Sequence, residues 1–144
     1  MVKARILAYG AILLMLGATI FYKDLLVITI LKDPYLPLGT IVAWLSLGSL
    51  TVLPWLSSSA IREGRTLYFL VLKYVTWLAG TLAILWPFLG RLLAGNWHYS
   101  FSNISSFVGS IEAGYLFWRL TGLIVVLPFV VFVLILGHYL VRKL

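Results

Sequence analysis

The chain has 144 residues, of which 62% are hydrophobic, 15% aromatic and only 10% charged. Ordinary soluble domains carry about 25% charged residues, so with a mean hydropathy of +1.07 a water-soluble globule is excluded and a single membrane domain over residues 1–144 is expected. The net charge of +7, eleven Lys and Arg against four acids, and the absence of cysteine carry further exclusions. The basic residues punctuate long apolar runs, as in membrane proteins, and form no stripe for nucleic acid. Without thiols there is no disulfide exchange, thiolate catalysis, iron–sulfur ligation or Cys-based zinc site.

Residues 6–22 are uncharged between Arg5 and Lys23. At about 1.5 Å per residue they are just long enough to cross a ~30 Å hydrocarbon core, and they give the first expected span. The apolar run continues past Lys23 and Asp24, so the helix is expected to extend as far as residue 31, where Lys32-Asp33-Pro34 ends it. A signal peptide is the competing reading of Lys3 and Arg5 before an apolar stretch. No small-x-small cleavage site followed by a polar chain supports it.

A second span is expected over 38–56, with Pro37 in the first turn, where its missing N–H costs nothing, and Pro54 near the end. Ser57 to Ser59 and Arg62-Glu63-Gly64-Arg65 make the next loop. The third span is expected over 67–94, with Lys73 snorkelling to the interface and a kink at Pro87. Residues 95–109 form an outer loop whose aromatics and hydroxyls suit the headgroup layer, and which contains the sequon Asn103-Ile104-Ser105. The last helix is expected from near Ser110 to Val141, about 48 Å. Its first turns lie at the interface and its span covers 115–141.

The sequence therefore predicts an all-α integral membrane protein, a compact bundle of four transmembrane helices. Seven basic residues (Lys3, Arg5, Arg62, Arg65, Lys73, Arg142, Lys143) share the side of the termini against four on the other. The positive-inside rule then puts both termini in the cytoplasm, the membrane being the cytoplasmic one. The absence of Gln and the presence of only two Asn and two Met fit a thermophilic source.

Small residues mark packing faces. Thr76, Gly80, Ala83, Pro87 and Gly90 recur every three or four positions in the third span, and Gly39, Ala43 and Ser46 give a shorter stripe in the second. Such stripes let another helix approach closely.

Chemistry is sparse. His98 and His138 lie at opposite interfaces, a core thickness apart, so no cofactor is expected. Either would ligate haem only with an axial partner from another chain. Glu112 and Arg119, two turns apart on one face, sit with Trp118 and Thr121 in a candidate site for lipid, quinone or another anionic ligand. A snorkelling Arg is the plainer reading. No acid lies within a span, against a proton-coupled carrier, and there is no G-x-S-x-G, H-E-x-x-H or carboxylate cluster for a hydrolase.

The stretch Trp118-Arg119-Leu120-Thr121-Gly122, with His138 later on the same helix, resembles the Arg-x-Ser/Thr-Gly helix opening of cytochrome b anchor subunits of succinate dehydrogenase. The resemblance covers about twenty residues and implies quinone near Arg119 and Thr121, and a histidine on haem. In that family the motif opens an early helix, whereas here it opens the last one. A looser likeness in length and span number is to small membrane subunits of tripartite transporters. No family is assigned on either. Two functions are expected from the residues. The first is a non-catalytic subunit of a larger membrane complex of respiratory or electron-transfer type, in contact with lipid or quinone and with other integral membrane subunits. The alternative is a small four-helix transporter or permease subunit, acting as a homo-oligomer or with a larger partner, with Ser46, Ser49, Lys73 and Thr76 as path-lining groups.

Overall fold

The computed structural model describes residues 9, 10, 12, 17, 23–32, 35–97, 99, 101 and 107–141. The first expected span, the sequon, His98, Arg142 and Lys143 lie wholly or almost wholly outside these residues. The described chain is mostly helical: α1 (Lys23–Leu26), a hairpin of β1 (Thr29–Lys32) and β2 (Tyr35–Pro37), then α2 (Leu38–Ser57), α3 (Ser59–Glu63), α4 (Leu67–Ala94) and α5 (Ile111–Val141). Helices α2, α4 and α5 are each long and apolar enough to cross a membrane.

The hairpin corrects the expectation of an all-α chain and of a first helix running to residue 31. Four β-branched residues in succession, Val27, Ile28, Thr29 and Ile30, lose side-chain freedom in a helix and fit a pleated strand. Helix α1 stops at Leu26, and β1 and β2 pair antiparallel, Lys32 opposite Tyr35 and Thr29 opposite Pro37. Pro37 therefore sits one position earlier than expected, as the extended residue (φ −77°, ψ 149°) before α2. At a strand end its missing donor costs no ladder bond. Leu38 N–H donates to Ile28 O at 2.8 Å, fixing the hairpin to the start of α2.

Helix α2 ends with its last carbonyls lacking intrahelical donors. Arg62 reaches back from α3 and donates to the carbonyls of Trp55 (2.8 Å) and Leu56 (3.4 Å), a cation where the helix dipole is negative. Ser58 Oγ accepts from Ile61 N–H to start α3. Helix α4 occupies the expected 67–94 and runs through the buried Pro87 as one helix. It stops at Gly95, whose φ of 78° is open to glycine at little steric cost. Ser110 Oγ accepts from Ala113 N–H at the start of α5.

The three long helices pack pairwise on one another. Tyr68, at the start of α4, donates to Leu134 O near the end of α5, and Thr40, at the start of α2, donates to Trp97 O just after α4. Both α2 and α5 therefore run antiparallel to α4. Two buried clusters occupy the ends of the bundle. One gathers Ala43, Ala83, Trp86, Ala94, Tyr99, Phe117 and Ile124, the other Ile61, Phe69, Leu72, Val131 and Ile135. Between spans in lipid the hydrophobic effect offers little drive, so close packing and interhelical hydrogen bonds must hold the bundle.

Candidate functional site

Residues from all three long helices meet around an apolar cleft of about 290 Å³ at the end of the bundle where α4 passes into α5. Ala43, Ser46, Leu47 and Leu50 come from α2, Trp86 from α4, and Trp118, Thr121 and Val125 from α5; Phe101 and Ile12 complete it. The α5 contribution follows from helical spacing, since 118, 121 and 125 recur at three and four residues and face one way. Trp118 is 54% exposed and forms the rim.

The expected cluster of Glu112, Trp118, Arg119 and Thr121 is thus divided. Trp118 and Thr121 line the cleft, whereas Glu112 and Arg119 are exposed on α5 and take no part in it. Thr121 is also committed internally: its Oγ1 accepts from Trp86 Nε1 and donates to Phe117 O, both at 2.9 Å. This bond joins α4 to α5, so Thr121 lines the cleft with its hydroxyl already engaged. Among the described residues a cation–π contact joins Lys73 to Trp55, with Nζ 5.5 Å from the ring centroid.

The packing stripes divide in a similar way. Ala43, Ser46, Thr76 and Ala83 are buried in the bundle, and Gly80 faces Thr51 of α2. Gly39 and Gly90, expected to admit a helix, admit aromatic rings of the α4–α5 connection instead. A methyl on Gly90 would overlap the Tyr99 ring, and one on Gly39 would overlap Phe101 and the carbonyl of Leu26.

The connection is therefore more than the headgroup-facing loop expected from its composition. Tyr99 is 3% exposed and packs edge-on against Trp86 (5.6 Å) and Phe117 (5.0 Å). Burial raises the Tyr99 phenol well above the ordinary phenol range. Phe107 packs on Phe117 and Trp97 on Phe88. These rings close the end of the bundle beside the cleft. Sequence reading missed Tyr99, and the signal available for it was Gly90, a residue without a side chain set among bulky neighbours on α4.

His138 lies far along α5 from this site. Its ring stacks on Tyr68 (5.5 Å) and meets Phe69 edge-on (5.0 Å), and its Nε2 is fully enclosed, with no hydrogen-bond partner among the described residues. An axial haem ligand needs that edge open to iron, so the arrangement does not suit ligation through Nε2. No group of three or more His, Asp and Glu side chains comes together among the described residues. What the cleft can do chemically is hold an apolar chain or ring against a lining that includes two indoles.

Compared with known proteins, the chain matches no family model, no curated protein and no solved structure.

Proposed function

We propose that the chain is a non-catalytic membrane subunit of a larger assembly, of respiratory or electron-transfer type, whose cleft takes the apolar tail or ring of a lipid or quinone. The observation that carries this reading is the cleft itself. It is built from three helices, rimmed by Trp118, and lined by no titratable side chain among its contributors. The resemblance around Arg119 and Thr121 points to the same region. In this reading its contribution comes through Thr121 and the indole of Trp118, both on the cleft lining, with Arg119 outside it. Beyond the cleft, α5 is the most apolar helix and only 22% of its apolar window is buried within the chain. An apolar face of this kind suits contact with lipid or with other integral subunits. In this reading residues 6–22 add a fourth span, and both termini lie on the cytoplasmic side of the cytoplasmic membrane.

The test is purification of the tagged chain in mild detergent from its native membrane, with mass spectrometry of co-migrating proteins and of extracted quinones and lipids. Fixed-stoichiometry partners and a retained quinone or lipid are expected. Ala43→Leu, which fills the cleft, should release the small molecule and keep the partners. A lone homo-oligomer carrying neither would overturn the proposal in favour of a transport component.

A further inference from the structure

From mid-bundle toward the opposite end, α2 and α4 enclose a second groove of about 220 Å³ that opens sideways, bounded by Thr51, Trp55, Thr76, Trp77, Gly80 and Ile84. Its floor is Gly80, where a methyl would have Thr51 Oγ1 as its nearest neighbour, at 3.9 Å. The threonines do not make it polar. Thr51 Oγ1 donates to Gly48 O at 2.9 Å, Thr76 Oγ1 to Leu72 O at 2.8 Å and Thr81 Oγ1, also on the lining, to Trp77 O at 3.0 Å, so all three hydroxyls are returned to their own helices and the groove meets mainly hydrocarbon.

A cation stands at the mouth of this apolar groove. Lys73 precedes Thr76 by three residues and Gly80 by seven, which sets it on the same face of α4, and its ammonium lies over the ring of Trp55, a wall of the groove. Among the described residues Glu63 is the acid nearest this end in the chain, and no ion pair joins it to Lys73. The neighbouring Arg62 is occupied by the carbonyls that end α2. Lys73 lies about 9 Å along α4 from its start, a depth from which an ammonium reaches the headgroup layer.

We propose that this groove seats an acyl chain of an anionic phospholipid, with the lipid phosphate paired to Lys73. Both halves of the ligand have a counterpart: apolar walls for the chain, and for the phosphate a cation that has no carboxylate partner among the described residues. A helix of a second chain fits less well, because Trp77 and Ile84, 60% and 62% exposed, stand at the opening and keep a rigid backbone from the floor, whereas a flexible chain passes between them. The proposal needs only that α2 and α4 cross a bilayer. It does not depend on the cleft at the other end or on its ligand.

The test uses the full chain, delipidated in detergent and titrated with phosphatidylglycerol, phosphatidylcholine or inorganic phosphate, with retention read by native mass spectrometry and protection by thermal melting. Phosphatidylglycerol is expected to bind roughly fivefold more tightly than phosphatidylcholine, the preference that one basic residue near the headgroups supplies. Inorganic phosphate should give no protection. Lys73→Gln should equalise the two lipids, Lys73→Arg should keep the preference, and Gly80→Leu should weaken both. Equal binding of the two lipids by the unaltered protein, or a preference that survives Lys73→Gln, overturns the proposal. So does protection by phosphate alone, or a dimer that excludes lipid and is lost in Gly80→Leu. Because Lys73→Gln leaves the helix interfaces intact, the charge dependence can be read from folded protein even if Gly80→Leu does not fold.

Discussion

Gly90 and Tyr99 make one fit, a residue without a side chain receiving a ring from nine positions along. Gly90→Ala forces a methyl into that ring, and overpacking of this kind costs about 1–3 kcal/mol. The expected outcome is a lower unfolding midpoint in detergent for Gly90→Ala and a smaller added loss when Tyr99→Ala is already present, since residues in contact do not act additively. Equal losses in both backgrounds would show that the two positions are not coupled. Tyr99 also ties stability to alkaline pH. Its phenol is raised in the folded chain, so as pH passes about 10 the unfolded chain gives up the proton first. The contribution is complete below that pH and is lost above it. Melts taken at rising pH should show a smaller alkaline loss for Tyr99→Phe than for the unaltered chain.

At the scale of elements, two hydrogen bonds join α4 to α5 at opposite ends of the bundle: Trp86 Nε1 to Thr121 Oγ1, and Tyr68 Oη to Leu134 O. Thr121→Val keeps shape and volume but removes the acceptor, leaving a buried indole N–H unpaired. Interhelical bonds in membranes average about 0.6 kcal/mol, and an orphaned donor raises the cost to about 1–3 kcal/mol. Trp86→Phe/Thr121→Val should recover part of the loss, as chemical unfolding in mixed micelles would report. These long helices are also where the sequence was most legible. The long apolar runs and Pro-Gly punctuation give 67–94 outright, in spite of Lys73 and Arg91, and 38–56 to within a residue, because length and mean hydropathy decide a span. The hairpin was not legible in the same way. Its strands are short and as apolar as the helices around them, and the β-branched run that marks them carries no charge to break the pattern. Arg62 reads as an ordinary loop cation, and its role at the end of α2 depends on how α3 folds back.

For the whole molecule, the reading of four spans with cytoplasmic termini is open to direct labelling, because the chain has no cysteine of its own. Single cysteines at the exposed Glu63 and Ser110 fall in connections at opposite ends of the bundle. With both termini inside, Glu63→Cys should react with an impermeant maleimide only after the membrane is opened from within, and Ser110→Cys should react in intact cells. The reverse pattern would invert the orientation. The candidate site was legible in part for a physical reason: Trp118 and Thr121 could be read as neighbours from spacing on one helix. Their union with Ala43, Ser46 and Trp86 depends on the crossing of three helices, which periodicity does not encode.

The placement of the indoles also makes the protein its own optical gauge. Trp86 is 3% exposed and donates its N–H within the bundle, while Trp77 and Trp118 are 60% and 54% exposed toward the surroundings. Quenchers dissolved in the acyl chains of a bilayer would darken the outward pair and spare the inner one. With the half-buried Trp44, Trp55 and Trp97 replaced by Phe, the unquenched remainder of the emission follows Trp86 and with it the α4–α5 junction. Loosening of that junction, by heat or by a ligand entering the cleft, becomes visible as light without any label attached.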